Sequence, residues 1–150
     1  MNPTLDFIHA SLIRDLKGMA QEIAAFPDGP DLWRTPPGIA NAAGNLAVHV
    51  AGNLQLFVGG ILGGSGYVRD REGEFSKRSG SREEVLVELE RAIQQVDWVL
   101  PELTEDQWVE PFPVVPDGPP VPTGVFLVRL CAHASYHRGQ LNYLRRMLVP

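Results

Sequence analysis

Two histidines, His133 and His137, stand four residues apart in the stretch HASYHRGQL. On a helix, positions i and i+4 lie one above the other, so both imidazoles point the same way. Both fall inside an apolar stripe of Phe126, Leu130, Ala134, Leu141, Leu144 and Leu148. An imidazole buried there without a partner costs about 1 to 3 kcal/mol, so the pair calls for hydrogen bonds or a metal ion. A third histidine, His49 in NLAVHVAGN, shares one helix face with Leu46, Val50, Asn53 and Phe57. If that helix packs beside the last one, three imidazoles converge in a helical core, where such proteins build their ligand and metal sites. Three neutral nitrogen donors suit zinc, nickel, iron or copper and leave coordination positions for water or substrate. Zinc or nickel is the first expectation, with iron or manganese next.

The spacing HxxxH is short and recurs by chance, each histidine then being a satisfied core residue; the third inward histidine is what favours a metal. A zincin site is excluded because Ala134 occupies the position where that motif needs a glutamate base. Asn45 and Asn53 lie one turn either side of His49, and Gln140 lies one turn beyond His137, where their amides can orient the imidazoles. Asn45, close to a helix start, serves equally well as a cap. Arg129, one turn before His133, either holds an anionic substrate near the metal or extends into solvent. His9, one turn after Leu5, is placed at the rim of the core. Cys131 is the single cysteine, which rules out an intramolecular disulfide and a thiolate zinc cage. About 200° round the helix from His133, it is expected to pack away from the site.

Four amphipathic segments must position these side chains. Leu5, Ile8, Leu12, Leu16, Met19, Ile23 and Phe26 recur at helical spacing, which predicts a first helix over 3–26 with Asn2 as its cap and Pro3 in a tolerated first-turn position. The loop PDGPDLWRTPPG forbids continuation, with Trp33 expected to anchor it on the core. A second helix is expected from Asn41 as cap to Gly59 and Gly60, presenting Leu46, Val50, Phe57 and Ile61. LGGSGYVRDREGEFSKRSG has glycine and charge without periodicity and reads as a long connection. In it Tyr67 and Phe75 are expected to pin the loop, while Arg69, Asp70 and Arg71 either face solvent or rim a pocket mouth. Ser81 and Glu84 form a capping box ahead of a third helix carrying Val85, Leu89, Ala92, Val96 and Leu100, closed by Pro101. LTEDQW adds a turn capped by Thr104, and the prolines of EPFPVVPDGPPVP permit at most a short hairpin. Thr123 is expected to cap the last helix. Four helices without an alternating strand predict an all-α fold, a four-helix bundle, and the unequal connections argue against simple up-down-up-down order.

With 150 residues, 44% hydrophobic and 21% charged, the chain is of ordinary size and composition for one globular domain with one core. A net charge of −5 and the absence of any basic run beyond Arg145 and Arg146 argue against nucleic acid as a partner. No stretch reads as a leader or as long and apolar enough to cross a bilayer, so a soluble cytoplasmic protein is expected.

HVAGN, then VRDREGEF, then HASYHRGQLNYLRR together resemble the DinB-like superfamily of metal-binding four-helix bundles, from the second helix to the C-terminus. The resemblance implies a bundle with a long crossover connection, frequent homodimers, and a divalent metal held at the positions of His49, His133 and His137. Relatives include thiol-dependent transferases or isomerases and hydrolase-like proteins. The expectation is therefore a metal-dependent enzyme acting on a small-molecule substrate, with a low-molecular-weight thiol as co-substrate. No Asp or Glu falls on the inward faces of the second or last helix, which favours thiolate transfer over hydrolysis, since a thiol deprotonated at a metal needs less help from a base. The alternatives are a non-catalytic bundle using the ion as staple or sensor, and a metal-free interaction module.

Overall fold

The computed structural model describes residues 2–114 and 116–150, and among them the regular structure is helical apart from a single bridge between Pro111 and Pro122. Helix α1 spans Pro3–Ala25, with Asn2 accepting from the Thr4 amide at 2.9 Å. Helix α2 spans Ala43–Leu54 and continues as wider π-helical turns over Gln55–Leu62. Short helix α3 spans Arg71–Ser76, α4 spans Arg82–Val99, α5 spans Glu105–Val109 and α6 spans Thr123–Leu148.

The four long helices form a bundle in which α1 and α2 each pack against both α4 and α6. Directions follow from paired residues. Ile8 meets Cys131, Asp15 meets Arg138 and Glu22 meets Arg145, a constant offset of 123 residues, so α1 and α6 run parallel. His49 meets His133 and Phe57 meets Phe126, so α2 and α6 are antiparallel. Gln55 bonds Glu88 and Gly59 lies under Gln95, so α2 and α4 are parallel, and the segment between them returns along the bundle. The order is not simple up-down-up-down. One continuous core holds Leu12, Leu16 and Ile23 of α1, Val50 and Leu54 of α2, Leu89 and Val96 of α4, and Leu127 and Leu141 of α6, each burial contributing about 1.5 to 3 kcal/mol.

Several local expectations hold. Ser81 and Glu84 cap α4 reciprocally, Thr104 caps α5, and Trp33 is buried with its Nε1–H donating to Gly80 O at 3.0 Å. Others are corrected. Asn41 does not cap α2; Ala42 holds that position, and the Asn45 side chain accepts from the Ala42 amide instead. The second helix neither ends at Gly59 and Gly60 nor stays α-helical to them: it runs on in π-helical turns to Leu62, and Gly59 lies where a side chain would meet Gln95. Thr123 is the first helical residue after Pro122 at the cap, and its amide and hydroxyl both donate to Glu110 O, at 2.8 and 3.1 Å. The connection over 63–81 carries a helix, α3, capped by Asp70 accepting from the Gly73 amide. Residues 43–62 do make a helix apolar enough to span a bilayer by length and composition, contrary to expectation, but 72% of its apolar window is buried inside the bundle.

Candidate metal centre

Facing turns of α2 and α6 bring His49, His133 and His137 together. One candidate ligand nitrogen from each lies within 4.8 Å of the others, and the ring centroids stand 4.5 to 5.0 Å apart in edge-to-face pairs. His49 is 5% exposed, while the other two are half-buried. His49 Nε2 and His133 Nε2 face each other at 3.0 Å. Two nitrogens bound to one tetrahedral zinc at about 2.0 to 2.1 Å would stand about 3.3 to 3.4 Å apart, so the pair is already close to ligand spacing. His133 Nδ1 is buried without a hydrogen-bond partner. With Nε2 turned to His49, this orphaned nitrogen is not the candidate ligand atom, and an ion on Nε2 would leave it still unpartnered.

Burial favours the neutral form of the two α6 histidines. Burial pulls the His133 pKa down to about 4, with further lowering from His137, His49 and Arg69 nearby. Burial also lowers His137, against an opposing hydrogen bond to Gln140. Neutral imidazoles offer their lone pairs without first releasing a proton.

The other predicted side chains fall into place unequally. Gln140 Oε1 accepts from His137 Nδ1–H at 2.7 Å, which leaves Nε2 for the cluster. Asn45 is fully buried and its side-chain hydrogen bonds reach no imidazole; besides closing the α2 start, its amide donates to Glu74 O and Lys77 O, tying α3 to α2. Asn53 is buried on the next turn after His49, with its Oδ1 unpartnered. Arg129 is exposed on α6. His9 lies apart from the cluster, bonded to Asp97 at 2.7 Å, and the Cys131 thiol is half-buried against Ile8 O, raised to about 11 by burial and by Asp15.

Sequence reasoning missed Glu74. Helix α3 carries it inward, where the carboxylate is 7% exposed and accepts from His49 Nδ1–H at 3.0 Å. Arg69 grips the same carboxylate with Nε on Oε2 at 2.8 Å and Nη2 on Oε1 at 2.9 Å. Burial alone would raise the Glu74 pKa, but the bonds from His49 and Arg69 outweigh it and leave the carboxyl below its ordinary value. Phe75 lies against the His49 ring at 4.6 Å, and Arg71 sits over Phe75 from the solvent side. The available signal was local: Asp70 three residues before Gly73 is a helix cap, and a helix starting there points Glu74 and Phe75 inward together.

A family model described as "Protein of unknown function (DUF1572)" matches residues 6–150. The chain belongs to that family. No curated protein matches it. A solved structure, the crystal structure of the conserved protein of locus from Enterococcus faecalis, aligns with this DUF1572 chain at a TM-score of 0.80 and 19% identity, covering 99% of this chain and 98% of that one. At that identity the likeness shows a shared fold, and the chemistry of the DUF1572 site has to be argued from its own residues.

Proposed function

We propose that this DUF1572 chain is a DinB-like metalloenzyme, in which His49, His133 and His137 hold a divalent transition ion, zinc or nickel before iron or manganese. The observation that carries the reading is three mutually facing imidazoles, one of them backed by a buried carboxylate. A divalent ion there supplies Lewis acidity, lowering the pKa of a water or thiol ligand.

The chain's own residues do the rest. Gln140 and Glu74 orient His137 and His49 through their Nδ1 protons. Glu74 is no free base, since both its oxygens are occupied by His49 and Arg69. A site without an available protein base favours transfer of a small thiol over hydrolysis. A groove of about 460 Å³ adjoins the site at Gln140, walled by Ile39, Leu46, Tyr143, Leu144 and Met147 and free of charged residues. Its size suits a small molecule, and its lining suits an uncharged body. A homodimer in the cytoplasm completes the proposal.

Elemental analysis of tag-free protein purified without chelator tests it, with His137→Ala as control. About one equivalent of transition metal in the parent and little in the variant supports the centre, and thiol-transfer turnover lost on chelation then supports the enzyme. No metal in the parent after incubation with zinc, nickel or manganese overturns the reading. Metal binding that raises stability without any turnover would favour the staple instead.

A further inference from the structure

The carboxylate behind His49 is unusual in being matched by a buried cation. Glu74 and Arg69 have side chains only 7% and 9% exposed and are joined by two parallel hydrogen bonds, while the third bond to the carboxylate comes from His49. Removing both charges from water is costly, and a hydrophobic pair would hold α3 to the bundle as well or better. The arrangement also has its own local supports. Asn45 clamps the backbone of α3 at Glu74 and Lys77, and Phe75 closes over His49. Gly52 on α2 leaves the space that the Glu74 carboxylate fills, a space that any side chain there would invade. Four separate features thus serve one contact, carboxylate to His49 Nδ1.

We propose that Glu74 and Arg69 form a charge-cancelled brace behind His49. Glu74 is a positioning residue that holds the ring with Nε2 toward the cluster. Arg69 cancels the carboxylate, so that a divalent ion held by neutral imidazoles keeps its two positive charges for an anionic ligand such as a thiolate. The inference rests on the metal-binding reading and adds the class of ligand the ion is prepared to take. The charge count is simple: three neutral rings contribute nothing, and Glu74 and Arg69 sum to zero.

The test uses the full chain loaded with Co(II), whose absorption bands report ligand geometry, with azide as the anionic probe. Glu74→Gln is expected to weaken Co(II) binding about tenfold to 100-fold and to shift the bands. Arg69→Met, which leaves the carboxylate uncancelled, is expected to keep Co(II) but weaken azide binding about tenfold or more. The double variant E74Q/R69M, neutral again, is expected to recover azide affinity while keeping the weaker metal binding. A purely structural clasp predicts neither the azide loss nor its recovery. Unchanged metal affinity in E74Q, or unchanged azide affinity in R69M, overturns the brace and leaves the metal centre standing; no Co(II) in the parent overturns both. Should the variants fail to fold, the tautomer of His49 in the metal-free parent decides by long-range ¹H–¹⁵N spectra. A proton on Nδ1 is expected, and a proton on Nε2 overturns the brace.

Discussion

Helix α6 uses polar residues on two of its faces, toward α1 and toward α2, and the two seams are built on opposite rules. On the α1 side every strong polar group is closed. Asp15, 1% exposed, accepts from Ser135, Arg14 and Arg138, and two turns further on Glu22 accepts from Asn142 and Arg145. On the α2 side the polar groups are left open: His133 Nδ1 and Asn53 Oδ1 are buried and unpartnered, and two Nε2 atoms face each other. A closed network specifies how two helices pack. An open one costs about 1 to 3 kcal/mol per orphaned group and contributes nothing to how the helices pack.

The sharpest way to break this contrast is to delete one group from each seam. His49→Ala is expected to lower affinity for zinc or nickel by more than about 100-fold, so that the variant purifies without stoichiometric metal. Its metal-free stability should move much less, read by denaturant unfolding in the presence of chelator. Asp15→Ala should do the reverse, losing about 1 to 2 kcal/mol of stability with the bonds from Ser135, Arg14 and Arg138, with metal content intact. If Asp15→Ala empties the metal site, or His49→Ala unfolds the apo protein, the two seams are not separate devices.

The same contrast explains what was legible in the sequence. Both seams lie on regular helices, so periodicity revealed their faces: spacing put His49, His133 and His137 on inward faces, their meeting being conditional on the two helices packing together, and it also revealed α1, while residue type at the helix starts revealed the Ser81 cap of α4 and the Thr104 cap of α5. What periodicity could not reach was anything whose placement is set by tertiary contact. Helix α3 has six residues, too few for a repeating pattern, and its Glu74 is held in place by Arg69, Asn45 and His49 rather than by a face of its own. Asn41 had the right residue type for a cap, but Asn45, buried under α3, already took the Ala42 amide. Asp15 and Arg138 went unnoticed because a charge on a helix announces a solvated face until its partner 123 residues away is known.

Acid titration probes the closed seam by itself. Burial raises the Asp15 and Glu22 carboxyls, but hydrogen bonds from Ser135, Arg14 and Arg138 to the first, and from Arg145 and Asn142 to the second, outweigh it and leave both below their ordinary values of 3.8 and 4.5. A carboxyl with a depressed folded pKa binds protons more weakly than in the unfolded chain. Its stabilisation is therefore complete above the ordinary value and is lost as pH falls through the folded one. Chelator-treated protein should lose stability as pH falls below the ordinary values of 4.5 and 3.8, and the double variant D15N/E22Q should show a flatter fall there in denaturant midpoints. An equal slope in parent and variant would place the acid sensitivity elsewhere.

The smallest expected effect comes from two glycines that serve the two seams in the same way. Gly18 on α1 makes room for the Arg138 guanidinium, and Gly52 on α2 makes room for the Glu74 carboxylate. Alanine at either position gains about 1 kcal/mol in helix propensity. At Gly18 the obstructed group is the end of a long side chain, 38% exposed, that can swing outward and rebond in water. Gly18→Ala should thus change stability by less than about 1 kcal/mol and leave metal affinity untouched. At Gly52 the obstructed carboxylate is buried, gripped twice by Arg69 and aimed at His49, and it has no solvent to retreat into. Gly52→Ala should therefore weaken metal binding about tenfold and also lower the unfolding midpoint, because it displaces the buried group that holds the ligand ring. Equal, negligible effects of the two substitutions on metal affinity would mean that the α2 seam tolerates displacement as the α1 seam does, and the distinction between a closed network and a prepared site would fail at that residue.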